Sequence, residues 1–321
     1  MFESETQLLL KKVLDQLSKK YGFIFDAIRI PFSLMITDRN NKRHSKFDRL
    51  ISELSNILFL VRSSTVNRIK VKSNYNINSK YLIVVDHNRE PLINVFLEVI
   101  KGLPVQEVCI VTVNKSIYKQ LRNLAPCKVI YADKLSSLRM FDFKLASEVK
   151  SRIEDIDIKI PILDKLSLFL NVLKVISYED LYDNLLSKNI SSVLTLCDAN
   201  LHESVVTRVA NNKGIDTTTL QHGVPNILWF PVISNNFLVW NEHTKTICEE
   251  RYEVPESKIQ VIGNPIFQQK KVHKKENNLF TITYIVTNWG KKENEKLFKI
   301  FIKIASIKNI RLIIKLRPNP P

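Results

Sequence analysis

The stretch Ser192-Val193-Leu194-Thr195-Leu196-Cys197-Asp198, then the residues 200–213, then Gly214, then Thr217-Thr218-Thr219-Leu220-Gln221-His222-Gly223, decides the fold. Ser192 to Cys197 is a short apolar run, the pattern of a strand buried on both faces. Residues 200–213 carry helical spacing, and Gly214 ends them as helix-terminating glycines do. Thr217 to Leu220 is β-branched and again strand-like. Strand, helix and strand in such close succession predict a parallel βαβ unit.

The same alternation extends both ways. Upstream, strands are expected at 81–85, 107–112 and 128–131, with helices at 90–101, stopping at Gly102, and at 115–124. Residues 135–189 read as mostly helical, with Leu166 to Val175 strongly apolar. Downstream, strands are expected at 237–240 and 259–262 around a helix at 244–251, and the last strand runs into Gly263-Asn264-Pro265. A polar, lysine-rich stretch follows, then a strand at 281–286, a helix at 291–306 and a strand at 311–315. Near the N-terminus, Leu8, Leu9, Val13, Leu14 and Leu17 mark one amphipathic helix. The expected organisation is a mainly helical extension over 1–75, a Rossmann-like α/β parallel-sheet domain over 76–267, a linker over 268–278 and a partial second α/β domain over 279–321. One strand-helix-strand unit cannot bury both faces of a parallel sheet by itself.

Composition narrows the function classes. The 321 residues are 45% hydrophobic and 25% charged, an ordinary globular balance. No apolar run is long enough to span a bilayer, and the acidic start Met1-Phe2-Glu3-Ser4-Glu5 lacks the basic-then-apolar order of a signal peptide. A cytoplasmic protein is expected. Forty-eight Lys and Arg against 32 Asp and Glu give a net charge of +16, which suits an anionic partner such as nucleic acid, phosphorylated substrates or an anionic membrane surface. The lysines are scattered and no arginine-rich helix, zinc finger or aromatic RNA-binding signature occurs, so no specific nucleic acid is expected. The four cysteines are widely spaced, with no Cys-x-x-Cys pair, so buried thiols are expected and no metal site. The Gly-rich dinucleotide and P-loop fingerprints and the Gly-x-Ser-x-Gly elbow are absent.

Open α/β sheets bind ligands outside the carboxyl ends of their strands. The polar groups expected there are Asp86-His87-Asn88, Asp198, Gln221-His222-Gly223, Asn241-Glu242-His243 and Gly263-Asn264-Pro265. Only six glycines occur, and Gly223, Gly263 and Gly290 lie just beyond strand-like runs, where glycine permits positive φ or close approach to a ligand. His222 is suited to hydrogen-bond a phosphate or sugar hydroxyl, or to shuttle a proton. His202 and Glu203, one turn into the helix after Asp198, could project toward the same cleft. Asp198 is expected to cap that helix, as Asp often does, a role compatible with that of a base.

The ordered series Thr219-Leu220-Gln221-His222-Gly223-Val224-Pro225, Phe237-Leu238-Val239-Trp240-Asn241-Glu242 and Lys258-Ile259-Gln260-Val261-Ile262-Gly263-Asn264-Pro265 resembles bacterial surface-polysaccharide glycosyltransferases of the GT-B fold. These include polysialyltransferase-like and capsule or lipopolysaccharide sugar transferases. CDP-glycerol glycerophosphotransferases share a similar His-Gly element. The resemblance, over about residues 190–320, implies two Rossmann-like domains and transfer from a nucleotide-activated sugar, CMP- or UDP-linked, to a growing glycan or lipid-linked sugar. It implies no metal and no cofactor beyond the donor. His222 would be the family's histidine, with Asp198 and Glu203 as further base candidates. Gln221, Gly223, Gly263 and Asn264 would bind substrate, and Arg317 would stand where many relatives place a histidine on the donor phosphate. The acceptor and the positive charge would suit the inner face of an anionic membrane. Relatives continue with further strands and a Ser/Thr-containing donor loop, so a partial donor-side domain is expected. A CDP-linked polyol-phosphate transferase and a non-catalytic binding or scaffold module derived from a transferase are the alternatives.

Overall fold

The structure, a computed structural model, describes residues 77–86, 90–132, 162–186, 189–226, 229–265, 280–285, 291–306 and 310–315. The expected N-terminal extension, the lysine-rich linker, His87, Gly290 and Arg317 lie outside them. The chain divides into two compact units, Met1–Gln268 and Gln269–Pro321.

The first unit is built on a seven-stranded sheet. In chain order its strands are β1 (Tyr81–Val84), β2 (Val108–Thr112), β3 (Lys128–Tyr131), β4 (Ser192–Thr195), β5 (Asp216–Leu220), β6 (Asn236–Val239) and β7 (Ile259–Val261). Its helices are α1 (Glu90–Lys101), α2 (Lys115–Leu124), α3 (Ile162–Leu185), α4 (Leu201–Asn212) and α5 (Glu242–Tyr252). Spatial order is β3-β2-β1-β4-β5-β6-β7, and every neighbouring pair is parallel. This is the α/β, Rossmann-like fold expected, with strand boundaries within two residues of those read from the apolar runs.

Sequence explains the layers. All five residues of β2, Val108-Cys109-Ile110-Val111-Thr112, are buried, because helices cover both sheet faces. Alternate residues of β1 and β2 then divide between two cores. Leu82, Val84, Cys109 and Val111 pack with Tyr178, Tyr182 and Val205 of α3 and α4. Ile83, Val108 and Ile110 pack with Phe96 and Ile117 of α1 and α2. Helix α2 starts where the Asn114 side chain accepts the N–H groups of Ser116 (2.9 Å) and Ile117 (3.3 Å), and it buries Ile117 and Leu121, one turn apart. Helix α4 buries His202 through Thr207, then Val209 and Ala210. So wide a buried face follows from its position against the sheet and α3.

Two expectations about caps are corrected. Asp198 does not cap α4; the capping position is Asn200, whose side chain makes no capping bond. Helix α5 starts at Glu242 rather than Thr244, because the Asn241 side chain accepts the Thr244 N–H at 2.8 Å.

The second unit contains β8 (Phe280–Ile285), α6 (Lys291–Ala305) and β9 (Ile310–Lys315), with β8 and β9 parallel. Phe280, Phe298, Ile300, Ile302, Ile313 and Ile314 are exposed in it.

Candidate functional site

The strand order locates the site. From β1 the chain crosses to β2 on one side; from β4 it crosses to β5 on the other. The two crossover helices therefore diverge onto opposite faces, opening a crevice at the carboxyl ends of β1 and β4. Ligands bind at such reversals in doubly wound sheets. Asp86 lies just past β1, and Leu196 to Asn200 lie just past β4.

His222 leaves the end of β5 and reaches back over β4. Its Nδ1 lies 2.7 Å from the Leu196 carbonyl oxygen. A carbonyl only accepts, so Nδ1 carries the proton and Nε2 is the basic nitrogen. The ring also stacks on Trp229, with centroids 4.2 Å apart and planes 22° from parallel. A half-buried imidazole bonded to the Leu196 carbonyl and stacked on an indole has a defined orientation at the crevice rim.

The neighbours of His222 serve mainly as braces. Gln221 is buried; its Nε2 donates to the Gly223 carbonyl at 2.8 Å and its Oε1 accepts the Trp240 N–H at 2.7 Å. Its amide thus ties the loop after β5 to the end of β6. Asp198 is buried too, and its Oδ2 accepts the N–H groups of Ile233 (2.7 Å) and Ser234 (2.8 Å). The carboxylate that could have capped α4 instead anchors the segment entering β6. Gly223 has no positive φ; a Cβ there would meet the Trp229 ring at 3.6 Å, an ordinary contact.

Behind the crevice stands a buried polar cluster. The Tyr182 hydroxyl on α3 lies 2.5 Å from Nε2 of His202 on α4, and the rings of Tyr178 and Tyr182 flank that imidazole. His202 Nδ1 faces Asp86 Oδ2 at 3.9 Å. Beside it, Glu203 is fully buried and accepts a hydrogen bond from Asn200 Nδ2 at 2.8 Å. Burial, with the Asp86 charge next in size, holds the Glu203 carboxyl well above the usual carboxylate range, against hydrogen bonds from Asn200 and the Leu196 backbone. Burial thus favours the protonated form of this carboxyl, which still accepts the Asn200 bond through one oxygen. Burial lowers the His202 pKa, opposed by Asp86, so this ring is neutral. Burial likewise raises the Tyr182 hydroxyl.

His222, Asp198 and Glu203 thus gather around the end of β4, where Leu196 bonds both His222 and Glu203. Gly263 and Asn264 do not join them. They follow β7, three strands from β4 and so roughly 14 Å from its end by sheet spacing. There Gly263 adopts φ +80°, a turn conformation that glycine favours. The sequence pointed to Asp86 as a polar group at a strand end and to His202 as a residue facing the same cleft, and gave no sign of Tyr182. The placement of His202 at the start of a helix after a strand was the available signal. All four cysteines are free, and burial raises their thiols, Cys109 and Cys248 to about 12. Among the described residues, no three His, Cys, Asp or Glu side chains form a potential metal set, and no helix is long and apolar enough to cross a membrane.

No family model and no curated protein matches the chain. Solved structures with a similar course of chain include a glycosyltransferase from Rickettsia africae ESF-5, at 14% identity and a TM-score of 0.38, covering 75% of this chain and 69% of that one. Another is S. aureus MnaA in complex with UDP, at 12% identity and a TM-score of 0.36, covering 75% of this chain and 63% of that one. This chain therefore spans about two thirds of the length of either. At such overlap the fold rests on the strand order and register above, and activity rests on the site.

Proposed function

We propose that the chain is a glycosyltransferase of surface-polysaccharide synthesis, moving a sugar from a nucleotide-activated donor to a glycan or lipid-linked acceptor. The observation that carries this reading is the His222 imidazole, fixed on the Leu196 carbonyl with its basic nitrogen defined, at the rim of the β1/β4 crevice. The ordered Gln-His-Gly and Gly-Asn-Pro elements support it, as does a net charge of +16 for anionic phosphates and an anionic inner-membrane surface.

In this reading Met1–Gln268 is the acceptor side and Gln269–Pro321 belongs to the donor side. His222 Nε2 takes the proton of an acceptor hydroxyl as that oxygen attacks the anomeric carbon, and the nucleotide phosphate departs with the bonding pair. Arg317 pairs with that phosphate, a role guanidinium geometry suits. Asp198 and Gln221 fix the loops, and Glu203 remains protonated behind them. The protein acts in the cytoplasm.

Incubation with CMP-, CDP-, UDP- and GDP-linked donors tests the proposal by the nucleotide released. Release from one sugar donor, reduced at least about 100-fold in His222→Ala, is expected for a proton-transfer residue. Release only from a CDP-linked polyol would assign a polyol-phosphate transferase instead. No release from any donor, with the protein folded, would favour a binding module.

A further inference from the structure

The cluster behind the crevice contains a pair of groups that face each other without bonding. His202 Nδ1 is buried in a residue only 2% exposed and makes no hydrogen bond. Asp86 Oδ2 lies 3.9 Å from it, beyond hydrogen-bonding distance, on a side chain 26% exposed. The other ring nitrogen is engaged by the Tyr182 hydroxyl, so the ring is held in place and cannot turn Nδ1 to another partner without losing that bond. An ionised carboxylate only accepts, so the tautomer that suits Asp86 has its proton on Nδ1, with Tyr182 donating to Nε2. A buried N–H left without an acceptor is costly and calls for a physical reason.

An oxygen about 2.8 Å from both atoms would resolve the conflict. It would accept from His202 Nδ1 and donate to Asp86. Only a group that is both donor and acceptor fits, which selects a hydroxyl over a phosphate or carboxylate. Asp86 is the partly exposed member and stands at the end of β1, at the strand-order reversal, so it is the member of the pair that solvent reaches. Burial disfavours a second negative charge on the neighbouring Glu203 carboxyl.

We propose that Asp86 and His202 form a hydroxyl-binding subsite at the β1/β4 crevice, occupied by a sugar hydroxyl, with Tyr182 positioning the imidazole. The choice of a sugar rests on the transferase reading; the open pair does not. The hydroxyl has two sources, a saccharide acceptor or the ribose of a nucleotide.

The test uses the full chain labelled with 15N-histidine and long-range 1H–15N spectra, which report each ring's tautomer. CMP, UDP and CDP are titrated in one arm and neutral oligosaccharides in the other. The free protein should show His202 as the neutral Nδ1–H form, and binding in one arm should move its Nδ1 signal. Asp86→Asn, a nearly isosteric change at a partly exposed position, should weaken that same ligand about tenfold, the scale of a lost hydrogen bond to a charged group. Movement in the saccharide arm assigns an acceptor hydroxyl, and movement in the nucleotide arm a ribose. If nucleotides bind and perturb His222 while His202 stays still and Asp86→Asn binds normally, the subsite is wrong and the transferase reading stands. If saccharides move His202 while none of the nucleotides binds, the subsite stands and the transferase reading falls. Silence of His202 in both arms, as an ordered water bridging the pair would give, overturns the proposal.

Discussion

Two histidines flank the end of β4, and they live in different physical worlds. His202 is on a helix, almost wholly buried, with tyrosine rings around it and its ring pKa lowered by burial. His222 is on a loop, half-buried, pinned through Nδ1 and stacked on one indole. The first is part of the core that α3 and α4 build on the sheet. The second sits on a loop at the rim and is bonded to the Leu196 carbonyl. Packing should dominate what His202 does for the protein, and chemistry what His222 does.

The largest expected effect is on stability at the buried histidine. His202→Ala leaves the Tyr182 hydroxyl without its partner and opens a cavity, so a loss of about 3 kcal/mol is expected in urea unfolding. A loss below about 1 kcal/mol would show that the cluster is looser than its geometry. Asp198→Ala comes next, at about 2–3 kcal/mol, because two backbone N–H groups lose one charged acceptor. It should also loosen the segment entering β6, seen as faster amide exchange at Ile233 and Ser234.

The pH profile of stability separates the cluster's two titratable members. Glu203 has a raised pKa when folded, so the unfolded chain ionises first. Its contribution is complete below 4.5 and declines as pH rises. His202 has a lowered pKa, so its contribution is complete above 6.5 and declines as pH falls. Glu203→Gln should flatten the alkaline side of the profile, where the slope reaches at most about 1.4 kcal/mol per pH unit. An unchanged slope in that variant would mean that Glu203 is already ionised in the folded protein. The smallest stability effect is expected from His222→Ala, about 1 kcal/mol or less, because the ring is only half-buried.

The contrast also explains what could be read in the sequence. Runs such as Val108-Cys109-Ile110-Val111-Thr112 announce strands because burial on both faces demands apolar residues throughout. Gln221-His222-Gly223 was legible as a loop at the carboxyl end of a strand because it directly follows such a run. The N-cap of α5 was legible too, in Asn241, once capping rather than apolar spacing is used to set the boundary. The order of strands is another matter. Nothing local in Tyr81–Val84 says that it pairs with β4 as well as β2, and that pairing alone brings Asp86 to His202. Nor does composition show that Asp198 would bond to Ile233 and Ser234 instead of capping α4, since both uses suit a carboxylate next to a helix start. Short-range chemistry is written in short-range sequence, whereas a buried cluster spanning β1, α3 and α4 is a product of topology.

The central claim is that the His222 loop serves a nucleotide-sugar site. Thermal shifts of wild type and His222→Ala against CMP-, CDP-, UDP- and GDP-linked donors test it most directly. One nucleotide sugar is expected to raise the melting temperature of the wild-type chain, and the shift to be lost or much reduced in His222→Ala, although the unliganded variant melts close to wild type. Equal shifts in both proteins would contradict the assignment of His222, and no shift with any donor would contradict the transferase reading itself.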